Sequence, residues 1–427
     1  MKDSGVEWIG EIPEDWDIQN LKSILAERNE NNNPVKTDFI LSLTNDRGVI
    51  PYTEKGDIGN KSKDDITAYK LAYPGDIVLN SMNVIIGSVG LSDYFGAVSP
   101  VYYMLYPRYD KDSVEYYNHI FQTKIFQKNL KGYGNGILPH RMRIPMIKLN
   151  TVMLPYPAPS EQKQITKFLD QKVAEIDHII DKTKLSIEEY KKYKQSLITE
   201  TVTKGLNKNV KMKNSGIEWI GEIPEHWKVT RPNRVCEITR GNSGFQKGDM
   251  KNEGDYVAIQ YGKIYKVDEV DETFEYYIDD SFYKIDQIVS KGNTILVSTS
   301  ETVEDLGHSC FYNRSDDGLL GGEQMCLNPN ESNIEEKFLY YASKYFRYEL
   351  NQYASGLKVF RFKLDDLKRI NIIMPPIKEQ IEIVYFLDEK LPLIESIILS
   401  KESLLTELES YKKSLIFECV TGKREVI

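Results

Sequence analysis

No apolar run in this sequence approaches the ~18 residues a membrane span requires. The opening stretch, MKDSGVEW, has no apolar signal core, so a cytoplasmic location is expected. Cysteine is scarce. Cys236, Cys310, Cys326 and Cys419 stand too far apart for a zinc cluster, and an intracellular chain has little use for disulfides. The five histidines (His119, His140, His178, His226 and His308) are scattered, and no metal site is expected. Walker-type phosphate loops, dinucleotide-binding glycine signatures and HExxH are all missing. Asn328 to Glu331 (NPNE) lacks the aromatic that follows Asn-Pro-Pro in amino-methyltransferases. No nucleophile and base can be named together, so the chain reads as a non-enzyme with no cofactor of its own. Excess positive charge is missing too. The net charge is -9, segment 1–155 holds 17 Lys and Arg against 19 Asp and Glu, and segment 212–377 holds 20 against 27. Any nucleic-acid contact must then use local patches.

What the sequence does have is repetition. SGVEWIGEIPEDW, Ser4 to Trp16, returns as SGIEWIGEIPEHW, Ser215 to Trp227, with eleven of thirteen positions identical and an offset of 211. A second repeat has an offset of 218. It sets Glu161-Gln162 on Glu379-Gln380, Phe168-Leu169-Asp170 on Phe386-Leu387-Asp388, and Tyr193 on Tyr411. The chain is a tandem: phrase, variable domain, helix, then all three again.

Both second repeats have helical periodicity. Ile165, Leu169, Val173, Ile176, Ile180 and Ile187 recur at three- and four-residue steps among Lys, Glu and Gln, and so do their counterparts from Ile383 onward. This is a narrow coiled-coil stripe. Ser160 is the expected N-cap, Gly205 and Gly422 the expected stops, and Pro392 an expected local kink. A helix of some 44 residues would be ~66 Å long. Two such rods in one chain are expected to pair antiparallel, since a compact domain lies between them.

The variable domains share landmarks. LAYPGDIVLN and IVSKGNTILVS each read as a turn and a strand, while LSLTNDRGVIPY and VAIQYGKIYKVD each read as strand, turn, strand. An amphipathic helix follows in each, then a glycine-containing basic loop. The first loop offers Lys131, Tyr133, His140, Arg141 and Arg143; the second offers Lys358, Phe360, Arg361, Phe362 and Lys363. Glycine lets the backbone approach a ligand, and Arg can bind phosphate or fork onto a guanine edge. These loops are the best candidates for contact chemistry. The fold class is α+β, with two pseudo-repeated globular domains separated by a pair of long antiparallel coiled-coil helices. The boundaries read 1–155, 156–210, 211–375 and 376–427: domain, helix and link, domain, helix.

The repeated phrase, LPYPAPSEQKQI…FLD…YKQSLI and MPPIKEQIEIVYFLD…YKKSLI resemble the DNA-specificity subunits of Type I restriction-modification systems. The resemblance covers nearly the whole chain. It implies two target-recognition domains, each reading one half of a bipartite site in double-stranded DNA, with the two basic loops supplying the candidate DNA-binding residues. It also implies two docked methyltransferase subunits and, in the larger form, two ATP-driven restriction subunits. S-adenosylmethionine, ATP and Mg belong to those partners, which methylate adenine N6 and cleave DNA. Tyr193 and Tyr411, at equivalent places on the rods, are the candidate docking residues. VTKGLNKNVKMKNSGIEW joins the first rod to the second phrase, and VTGKREVI with MKDSGVEW looks like the same link cut in two, so a pseudo-twofold ring is expected. The competing reading is a non-enzymatic, two-headed coiled-coil scaffold that binds proteins.

Overall fold

The computed structural model describes residues 1–56, 65–134, 143–265, 267–303 and 305–426. Contacts divide the chain into two units: Met1–Leu185 with Glu402–Ile427, and Ser186–Lys401. Four helices organise them: α1 (Val114–Gln122), α2 (Pro159–Lys204), α3 (Glu336–Leu350) and α4 (Ile377–Val420). Residues of α2 and α4 fall in both units. Among the described residues no helix is long and apolar enough to cross a membrane.

In the first unit, strands β1 (Leu25–Arg28), β2 (Ile77–Asn80), β3 (Val89–Leu91) and β4 (Tyr102–Pro107) form an antiparallel sheet in the order β1-β4-β2-β3. In the second, β5 (Cys236–Arg240), β6 (Glu269–Val270), β7 (Thr294–Val297), β8 (Ser309–Tyr312) and β9 (Gln324–Pro329) take the order β5-β9-β7-β8-β6. The first four strands repeat the first unit's topology, and the edge strand β6 is added in parallel to β8. The turns before β2 and β7 each use a glycine at positive φ, Gly75 at 85° and Gly292 at 89°. A side chain there would strain the backbone. The expected hairpin at 41–51 is present, Leu41–Thr44 against Gly48–Pro51. Its expected counterpart is not. Tyr256–Ile259 is a strand, but Tyr261–Ile264 winds into a helical turn because its amides return to Gln260 and Tyr261 carbonyls.

Each long helix meets its own unit through the repeated residues. Trp16 Nε1 donates to Glu161 Oε2 at 3.0 Å, and Trp227 Nε1 donates to Glu379 Oε2 at 2.9 Å. Buried Gln162 accepts from Ser113 N at 2.9 Å and donates to the Pro157 carbonyl at 3.1 Å. Gln380 accepts from Glu335 N at 2.8 Å and donates to the Pro375 carbonyl at 2.9 Å. The donors Ser113 and Glu335 are the N-caps of α1 and α3. Asp170 faces His119 Nε2 at 3.0 Å, and Asp388 faces Lys337 Nζ at 2.8 Å. A buried polar group costs free energy unless partnered, which explains why both letters of Glu-Gln recur.

The expected N-cap is corrected: α2 opens at Pro159, so Ser160 lies inside the first turn. Proline suits that position because its missing N–H would have no intrahelical partner. Pro392 sits within a helix that runs unbroken from Ile377 to Val420. Gly205 and Gly422, at φ 77° and 69°, follow the two helix ends. Each packs on the tryptophan of a phrase, Gly205 on Trp227 and Gly422 on Trp16.

Within each unit α2 and α4 pair. In the first, Lys412 Nζ lies 2.6 Å from Asp177 Oδ1, and Ile176 and Ile180 share a core with Leu415 and Ile416. In the second, Lys194 Nζ lies 2.8 Å from Glu395 Oε2. A step forward along α2 is a step backward along α4, so the helices are antiparallel. All four cysteines are free and buried, as expected of structural thiols.

Candidate nucleic-acid interface

The two basic loops join their domains at the same place. After β2 the chain continues to Ser81, whose carbonyl accepts from Ile144 N at 2.9 Å. After β7 it continues to Ser298, whose carbonyl accepts from Phe362 N at 3.3 Å. The preceding residues are Arg143 and Arg361, and both are exposed. Topology therefore sets one arginine at the end of the equivalent sheet strand in each unit. Phe362 is buried and anchors the second loop. The strand Phe360–Arg361 pairs with Thr299–Ser300, with Arg361 opposite Thr299.

Other predicted residues differ in setting. Lys131 is exposed, whereas Tyr133 is half-buried against the first unit's core. That packing makes Tyr133 a brace for the loop as well as a candidate contact. His140 and Arg141 lie outside the described residues. Lys358 is exposed beside fully exposed Leu357. Lys363 is exposed, and its backbone amide donates to Asp366 Oδ2 at 2.8 Å, capping a short helix. Tyr193 and Tyr411 are 54% and 48% exposed, enough for either ring to serve as a contact surface.

Residues not singled out in the sequence also converge here. In the first unit a cavity of about 680 Å³ is lined by Asn45 and Arg47 from the hairpin tip, by Asn80 at the end of β2, and by Met82 and Asn83 beyond it. Ser81 Oγ donates to the Val101 carbonyl at 2.9 Å and ties this edge together. The side chains of Asn45 and Asn83 have no hydrogen bond among the described residues. Free amides of this kind match the two-point readout of adenine. Asn in a loop is usually a turn residue, and nothing in the local pattern distinguishes these from others.

A second cavity, of about 440 Å³, lies in the second unit beside the helix pair. Its lining is charged. Asp268 lies 2.7 Å from Lys344 Nζ and 3.3 Å from Lys194 Nζ. Burial alone would push the Asp268 carboxyl up, but Lys344 and Lys194 outweigh it and hold it well below the usual carboxylate range. Burial pulls the Lys344 ammonium down. Burial also opposes charge on Lys194, but Glu395 and Asp268 overcome it and raise its affinity for the proton. The cluster is internally paired and pins the domain to α2, which suits anchoring better than ligand capture.

The model of the Type I restriction modification DNA specificity domain matches residues 13–189 and again 224–410. The chain belongs to that family. A specificity-domain relative from Methanocaldococcus jannaschii, named as the MjaX specificity subunit of a type I restriction enzyme, is 28% identical over 98% of this chain and 96% of its own length. The MjaVIII specificity subunit of the same organism is 25% identical over 72% and 69%. Among solved structures, a chain from work on assembly and conformational transition of the type I R-M system covers 97% of this chain and 100% of its own length. Its TM-score is 0.75 at 13% identity. The HsdS subunit of Thermoanaerobacter tengcongensis covers 97% and 98%, with a TM-score of 0.56 at 14% identity. These structures share the specificity-domain fold.

Proposed function

We propose that this chain is the DNA-specificity subunit of a Type I restriction-modification complex, each domain reading one half of a bipartite DNA site. The observation that carries the reading is the repeated unit, matched twice by the specificity-domain family, with an exposed arginine at the same strand end in both copies. Two similar but non-identical readers are what a split, asymmetric site calls for. The paired helices hold the readers and offer Tyr193 and Tyr411 to two methyltransferase subunits. Those partners supply the S-adenosylmethionine chemistry at adenine N6, and restriction subunits supply ATP- and Mg-dependent cleavage. An acidic chain with only local basic patches fits a reader whose partners share the phosphate clamp. The work is done in the cytoplasm, where DNA and these partners meet. No observation favours the protein-binding scaffold.

Duplex selection with the purified methyltransferase complex tests the reading. A two-part consensus is expected. Exchanging segment 17–155 for another family member's domain should change one half and leave the other. A change in both halves, or no consensus, counts against two independent readers.

A further inference from the structure

Among the described residues, Glu323 is the one non-glycine in the left-handed region, with φ 63°. Such a conformation disfavours a side chain, and where one persists the surroundings hold it there; strained residues of this kind cluster at functional sites. Glu323 follows Gly321-Gly322, and its carbonyl accepts from Ser298 N at 3.0 Å. Its carboxylate accepts from Thr299 Oγ1 and lies 3.6 Å from Arg361 Nε. The Arg361 side chain remains 60% exposed. Aligning the units by their sheet strands puts Val101 where Glu323 stands and Arg143 where Arg361 stands. The Arg143 guanidinium has no ion-pair partner among the described residues, so the carboxylate is peculiar to the second domain.

We propose that Glu323 is a positioning residue for specificity, aiming Arg361 at a guanine in the half-site read by the second domain. Glu323 approaches the guanidinium at Nε, and the Arg361 side chain stays largely exposed, so its terminal amino groups are available as the fork that meets guanine O6 and N7. An arginine held from behind loses less rotamer freedom on binding than a free one. Thr299, hydrogen-bonded to the same carboxylate, fixes its direction in turn. An ordinary surface ion pair would need neither the strained backbone nor the third residue. The inference rests on the specificity-subunit reading above.

The test uses the methyltransferase complex of the full chain and the duplex it selects, with each base pair varied in turn. Arg361→Lys keeps the charge and removes the fork. It is expected to lose about tenfold or more of the preference for guanine at one position of one half-site. Affinity for unrelated duplex and the salt slope should hold. Glu323→Gln should weaken the same preference several-fold. Glu323→Gly, which relieves the backbone, should also weaken it without lowering the melting temperature. Three results would overturn the proposal: base preference unchanged in Arg361→Lys; equal loss on every sequence, the mark of a phosphate contact; or Glu323→Gln indistinguishable from the unaltered chain. An unaltered complex that selects no bipartite sequence would overturn the parent reading itself.

Discussion

Gly205 shows how one residue can carry two demands. Its φ of 77° is unfavourable for any L side chain, and a Cβ there would stand 2.9 Å from Trp227 Cζ2. Gly216 has nearly the same backbone, φ 79°, with nothing within 4 Å of a Cβ. Gly216→Ala should therefore cost only the left-handed backbone term, about 1 kcal/mol. Gly205→Ala adds displacement of a buried ring, for about 2–3 kcal/mol in all. Denaturant melts of both variants measure the difference; equal losses would mean that Trp227 yields freely. The glycine stop was legible from composition alone, because a helix pattern ended on it. The arginines were legible as types beside glycine. The carboxylate behind Arg361 was not, since Glu323 lies 38 positions earlier and nothing local sets it apart from the many other acidic residues.

At the scale of elements, the helix pair follows from stripes that neither rod can bury alone. Asp177 meets Lys412, and 17 positions further along α2 Lys194 meets Glu395, 17 positions earlier on α4. The two ion pairs thus report the same antiparallel register. Both are part-exposed, so each contributes roughly 0.2–1 kcal/mol. Asp177→Lys and Lys412→Asp should each destabilise by about 1 kcal/mol by opposing like charges. The double exchange should recover most of the loss, with a coupling near 1 kcal/mol from chemical melts. Simple additivity would place these residues apart in solution. Periodicity made the rods and their pairing readable in advance, and the cap slipped because Ser and Pro both open helices. The helical turn at Tyr261–Ile264 escaped notice for a different reason. Gln-Tyr-Gly-Lys reads equally well as a turn, and only backbone bonds to Gln260 and Tyr261 decide.

For the whole molecule, the proposed docking role of Tyr193 and Tyr411 calls for two equivalent docking places. Native mass measurement should give two methyltransferase subunits per chain, and Tyr193→Arg should reduce that to one while leaving Tyr411's partner bound. A single partner at saturation would contradict the twofold scheme. The division of the chain also has a consequence in time. The second unit is one continuous stretch, whereas the first needs Met1–Leu185 and Glu402–Ile427 together. Once Leu185 has been added, the 216 residues from 186 to 401 are made before Glu402. At roughly 5–20 residues per second that takes about 11–43 s. Through that interval the stripe bearing Ile176 and Ile180 lacks Leu405, Leu408 and Leu415. The second reader is complete first, and a stop placed at residue 402 leaves it whole while stranding the one translated earlier.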